Sequence, residues 1–220
     1  MAKQAEQPKI EFWRIATWFP HLKENQLIDL KIFRDELLKF NKAVSLISAM
    51  SEEKIDQVHF ADSILGWNTM AKHMRYREIH DIGSGNGFPG LIIAILDREF
   101  QVRLIESDGR KCEFLKFMVQ KLELQNVHIE NKRLDKLAAG SIKAGVVRGF
   151  ASLPKTLLSV RKLLGVGGQM FHFKGPEWSS ELAALPQQLC SIWTTDHLAD
   201  YRLPESIATH TILLSKKINE

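Results

Sequence analysis

The chain has 220 residues, 45% of them hydrophobic and 25% charged, with a net charge of +4 and a pI near 9.0. That length can bury a sizeable core without disulfides or metals. The two cysteines, Cys112 and Cys190, lie far apart and form neither a disulfide framework nor a zinc-type spacing. Both read as plain buried thiols, and no metal is expected. The mild positive charge permits a nucleic-acid partner without requiring one. The first eight residues are polar, and no apolar run approaches the ~20 residues that span a bilayer. The expectation is a cytoplasmic protein with no membrane segment.

Residues 1–75 read as helical. Ile10, Trp13, Ile15, Ala16 and Phe19 recur at near-helical spacing, and Pro20 stops that run. Leu27, Leu30, Ile32, Phe33, Leu37 and Phe40 mark a second amphipathic helix. Ser51, followed by Glu52 and Glu53, predicts a helix start, and a further helix should cover 63–73. From residue 78 the pattern changes to short apolar runs alternating with helical stretches. Strands are predicted over 78–82, 102–105, 127–129, 145–147 and 169–173, and helices over 89–96, 110–124, 154–164 and 177–185. Two terminal strands, 193–202 and 210–214, are joined by a short linker without a helix and should form an antiparallel edge pair. The alternation predicts an α/β protein with a mostly parallel sheet. The chain divides into a helical extension, 1–75, packed on a domain over 76–220. The five tryptophans, Trp13, Trp18, Trp67, Trp178 and Trp193, read mainly as core.

The chemistry sits where the first predicted strand runs into Asp81-Ile82-Gly83-Ser84-Gly85-Asn86-Gly87-Phe88-Pro89-Gly90. Glycine allows a sharp turn and a close approach of backbone to ligand. The following helix start offers free N–H groups. Dinucleotide enzymes share such loops, but two details differ here. Asp81 suits a cationic ligand end better than a pyrophosphate, which it would repel. The third glycine is also displaced from the G-x-G-x-x-G spacing, with Phe at 88. Glu106, about 20 residues on at the end of the next strand, can accept hydrogen bonds from both ribose hydroxyls. Together these features predict S-adenosyl-L-methionine as cofactor. Glu106 alone does not separate a methyltransferase from a dehydrogenase.

These residues carry a resemblance. The Gly87-Phe88-Pro89-Gly90 tail, Phe40-Asn41-Lys42 with Ser45-Leu46, and His59-Phe60-Ala61-Asp62-Ser63 are similar to the bacterial small-subunit rRNA guanine-N7 methyltransferase family called RsmG or GidB. So are Arg110-Lys111 with Phe114-Leu115, Arg148-Gly149-Phe150-Ala151-Ser152 and Phe173-Lys174-Gly175. The resemblance covers about residues 25–178. It departs from the family's usual residues at Ser45-Leu46-Ile47, at Gly149 and at Leu134-Asp135. It implies a class I methyltransferase sheet with N-terminal helices, acting on N7 of a guanine in the 530 loop of 16S rRNA. By motif, the cofactor pocket would include Asp81, Gly83, Gly85, Gly87, Phe88, Glu106, Ser107, Asp108, Leu134, Asp135 and Arg148.

Guanine N7 is a free lone pair at neutral pH, so no catalytic base is expected. Arg148 is the candidate positioning residue. Lys174, His59, Arg75 and Arg77 are candidate RNA contacts, Arg75 and Arg77 clustering with Lys72 and His73. For His59 and Asp62, packing of a helix onto the sheet is the competing reading. The expected partner is 16S rRNA or the small ribosomal subunit, and a monomer is expected. A methyltransferase for a small molecule or protein, and a non-enzymatic nucleotide- or RNA-binding module, remain alternatives.

Overall fold

In the computed structural model, which describes residues 13–220, the predicted alternation folds into one seven-stranded sheet. The strands are β1 (Glu78–Ile82), β2 (Gln101–Glu106), β3 (Val127–Asn131), β4 (Ile142–Arg148), β5 (Leu164–Lys174), β6 (Trp193–Arg202) and β7 (Thr209–Lys217). Their order is β3-β2-β1-β4-β5-β7-β6. The first five are parallel, and β7 runs antiparallel between β5 and β6. Strands buried on both faces need near-continuous apolar runs. β4 (Ile142, Ala144, Val146, Val147) and β7 (Ile212, Leu213, Leu214) supply them. The order reverses between β1 and β4, which is where ligands bind in open α/β sheets.

Before β1 the chain forms α1 (Ile15–Trp18), α2 (Glu24–Asn41), α3 (Ala49–Glu52), a π-helical segment (Asp56–Ala61) and α4 (Asp62–Met70). Ile10, counted in the first predicted helix, lies outside the described residues. Ser48, not Ser51, caps α3: its hydroxyl accepts the Ser51 N–H at 3.2 Å. Helical structure then resumes at Asp56, well before the predicted start at 63.

After β1 come α5 (Gly90–Leu96), α6 (Gly109–Lys121), α7 (Leu153–Val160), α8 (Trp178–Ala183) and the unanticipated α9 (Gln187–Cys190). The helix predicted over 154–164 stops at Val160, because Leu164 already pairs with Ile142 as the start of β5. Cys112 is buried as expected, but Cys190 is exposed, since α9 is a short surface turn of helix. Trp67 and Trp193 are core residues, whereas Trp13, Trp18 and Trp178 are half-buried.

Two apolar layers cover the sheet. α7, α9, Leu164, Met170 and Trp193 pack on one face. On the other, Phe33 and Leu37 of α2 join Phe60, Ile64, Leu91, Ile92, Phe114 and Leu115 in a single cluster. Phe33 stacks on Phe88 (centroids 4.9 Å apart) and meets Phe60 at 5.3 Å, while Phe40 meets Phe114 at 5.2 Å. The N-terminal helices therefore share their core with the sheet. They also touch the glycine loop: Asn41 Oδ1 accepts the Leu46 and Ile47 N–H groups, and Asn86 Nδ2 donates to the Leu46 carbonyl at 3.2 Å.

Candidate active site

The glycine loop leaves β1 with Gly83, Gly85 and Gly87 at φ of +71°, +53° and +92°, backbone that L side chains rarely adopt. The Gly83 and Ser84 N–H groups donate to the Ile105 carbonyl at 2.9 and 3.1 Å, which ties the turn to β2. A Cβ on Gly87 would stand 2.5 Å from Leu91. One on Gly85 would meet only the Gly83 carbonyl, at 3.6 Å, so that side of the loop is open.

Glu106, at the end of β2, organises the opening. One carboxylate oxygen accepts the Gly85 N–H at 2.9 Å, and the other accepts the Ser107 and Asp108 N–H groups at 2.7 and 2.8 Å. Two successive loops thus converge on one carboxylate at the sheet's carboxyl edge. Asp108 caps α6, its Oδ1 accepting the Arg110 N–H at 2.8 Å. Leu134 is half-buried against the α7-side core, and Asp135 is exposed and paired with Arg133 at 3.1 Å.

Asp81 lies beneath the loop, fully buried, and its Oδ2 accepts the Gly90 N–H at 2.9 Å at the start of α5. Burial pushes its carboxyl up to about 7, against the Gly90 N–H and the Arg148 charge, with Glu106 adding to the rise. The folded chain therefore holds this proton more tightly than the unfolded chain. That contribution to stability is complete below the ordinary carboxylate range and is lost as pH rises toward 7. Asp81→Asn cannot ionise and still accepts from Gly90. It should gain stability relative to the parent between pH 5 and pH 8 in urea unfolding. A difference that does not change with pH would contradict this.

Arg148, at the end of β4, is held by three elements. Its guanidinium donates to the Val58 carbonyl (3.1 Å), to Asp62 Oδ2 (3.2 Å) and to His59 Nδ1 (2.7 Å), and lies 5.4 Å from the Phe88 ring centroid. Asp62 Oδ1 in turn accepts from the Tyr201 hydroxyl (2.7 Å) and His210 Nδ1 (3.1 Å). Burial alone would raise the Asp62 carboxyl, but His210, Arg148 and Tyr201 overrule it and hold it below the usual range. Burial, then the Arg148 charge, drive His59 down to about 3, so its imidazole is neutral. Neutral His59 accepts Arg148 at Nδ1 and stacks on Phe88 with centroids 5.1 Å apart.

The structure thus brings Gly83, Gly85, Glu106, Ser107 and Asp108 into one group of loops. Beside it, Phe88, His59 and Arg148 form a packed network. It does not bring the proposed RNA contacts together. Lys174 is mostly buried, its ammonium donating to the Ala151 carbonyl at 3.2 Å and to Glu181 of α8 at 2.6 Å. His59 is half-buried, its ring stacked on Phe88 and its Nδ1 taken by Arg148. Arg75 and Arg77 are exposed, but they precede β1, at the opposite end of the sheet from the glycine loop. They border a cavity of about 160 Å³ with Trp67, Tyr76 and Phe100. Tyr201 and His210 did not figure among the expected site residues. They reach Asp62 from 139 and 148 positions away, a distance over which no local pattern exists. Phe150 was legible only as part of the Arg-Gly-Phe motif. It lies against Gly83, with a ring carbon 2.8 Å from where a Cβ would stand.

A seven-stranded sheet of this order, with a glycine loop and strand-end acid at its switch point, defines a class I methyltransferase architecture. A putative O-methyltransferase from Klebsiella pneumoniae shares the fold, with a TM-score of 0.55 at 13% identity over 85% of this chain and 90% of that one. The family model described as GidB, rRNA small subunit methyltransferase G, matches residues 26–205, and the chain belongs to that family. It is 39% identical over 216 residues to ribosomal RNA small subunit methyltransferase G 3 of Bdellovibrio bacteriovorus, covering 98% of both chains. It is 31% identical over 160 residues to ribosomal RNA small subunit methyltransferase G of Halorhodospira halophila, covering 73% of this chain and 75% of that one.

Proposed function

We propose that this chain transfers a methyl group from S-adenosyl-L-methionine to N7 of a guanine in the 530 loop of 16S rRNA, acting as a cytoplasmic monomer on the small ribosomal subunit. The observation that carries the cofactor assignment is the convergence of the glycine loop and the Ser107–Asp108 loop on the Glu106 carboxylate beside the open face of Gly85. The residues present fit a nucleoside. Glu106 would accept from the ribose hydroxyls, Gly83 and Gly85 would line its path, and Leu134 and Asp135 would flank its base. When bound, the sulfonium supplies an electrophilic methyl group.

The chain's own part is to hold the acceptor nitrogen in line, with nothing to deprotonate. The surroundings support that reading: the His59 Nδ1 lone pair is taken by Arg148, Asp62 is saturated with donors, and Asp81 lies under the loop. The RNA contacts fall to residues around Arg148 and, further off, to the exposed Arg75 and to Arg77, which pairs with Glu99 at 3.4 Å. The test is incubation of purified protein and labelled cofactor with 16S rRNA, with small subunits and with a metabolite extract, followed by nucleoside digestion. Label in N7-methylguanosine is expected. Label in a small metabolite and none in RNA would favour the small-molecule reading.

A further inference from the structure

The chain turns sharply after β4. Gly149, at φ +64° with open space where a Cβ would be, lets Phe150 swing from β4 back across β1. The β1–β4 register, with Asp81 opposite Val146, puts Gly83 level with Arg148, two residues further along each strand. The Phe150 ring rests on Gly83, its Cδ2 and Cε2 2.8 and 3.4 Å from the position of a Cβ there. A side chain at 83 would displace the ring. Phe150 is nonetheless 38% exposed, whereas Phe88 of the loop and Phe114 of α6 are buried. An aromatic ring seated on the glycine loop at the switch point and still 38% exposed is a surface for another flat ring. Arg148, fixed by Val58, His59 and Asp62, holds the strand end that carries it.

The geometry points to Phe150 as the stacking surface for the purine that receives the methyl group. This inference rests on the RNA methyl-transfer reading above and deepens it. A base with no proton to give up must be oriented by its face and edges, and every base has a face that an aromatic ring can hold. A guanine reaching the cofactor leaves its neighbours in the RNA and loses their stacking. Phe150 replaces part of that contact at the point where the base must lie still.

The test compares Phe150→Ala, Phe150→Leu and Phe150→Tyr in methyl transfer to small subunits or 16S rRNA, beside calorimetric binding of S-adenosylhomocysteine. Stacking of this kind corresponds to a change of about tenfold to a hundredfold. Ala and Leu variants are expected to lose at least tenfold in kcat/KM for RNA, while cofactor-product affinity stays within about twofold. Tyr should keep most of the activity, because it restores the ring. A Leu variant as active as the parent would overturn the inference, since bulk alone would then suffice. So would equal losses in product affinity and RNA methylation, which would place Phe150 in the cofactor pocket. If the unsubstituted protein transfers no methyl to any RNA, the underlying reading fails and takes this inference with it.

Discussion

Glu106→Ala is expected to weaken cofactor binding by about a hundredfold or more and to lower stability by about 2 kcal/mol. The carboxylate accepts three backbone N–H groups, from Gly85, Ser107 and Asp108, so its removal unties both loops of the pocket together. Hydrogen bonds to a charged acceptor contribute about 1.5–3 kcal/mol each, but Gly85 and Asp108 are only half-buried and Ser107 is exposed, so water restores most of each lost bond. The ribose hydroxyls would lose the same acceptor. Gln, although isosteric, is no safe replacement. Its single oxygen can serve one side, and its NH₂ then faces an N–H donor on the other. Glu106→Gln should therefore lose at least about tenfold in affinity. Calorimetry with S-adenosylhomocysteine checks both variants. Unchanged affinity in Glu106→Ala would remove this residue from the pocket.

Arg148→Ala should cost about 3 kcal/mol of stability, at the lower end of the range for breaking a buried pair. It leaves Asp62, 3% exposed, without its full positive charge. The Tyr201 hydroxyl and His210 remain as donors to Asp62, which is why the loss is not larger. For a chain of this size that corresponds to a fall of roughly 6–12 °C in Tm. The Val58 carbonyl and His59 Nδ1 lose their donor at the same time. The strand end beneath Phe150 would loosen, so methyl transfer should fall further than the folded fraction does. Arg148→Lys keeps the charge but not the fork that serves three acceptors, and it should fall between Ala and the parent. A scanning-calorimetry Tm within about 2 °C of the parent in Arg148→Ala would show that the network is not structural.

Much of the fold could be read from local chemistry. β1 and the start of α5 follow from five residues of strand pattern and a glycine-proline break, and their bounds fall within a residue of expectation. The terminal strands could be placed because their linker is too short for a crossover helix. What escaped was decided by competition or by distance. Ser48 and Ser51 are both competent caps, and only the backbone's path chose Ser48. Leu163 and Leu164 look helical beside α7, but pairing with β4 claimed Leu164 for β5.

The site divides in the same way. The glycine loop and Glu106 announce themselves within about 25 residues of sequence. The Arg148 network joins the π-helical segment, α4, β4, β6 and β7, so its Tyr201 and His210 members carry no local signature. Lys174 looked free because its partner, Glu181, lies on a helix whose orientation the sequence does not state.

The most direct test of the central claim is mass mapping of 16S rRNA from cells with and without this protein. Loss of one N7-methylguanosine from the 530 loop, restored by the intact gene and not by the Glu106→Ala form, is the predicted result. An unchanged modification map in cells lacking the protein would contradict the account.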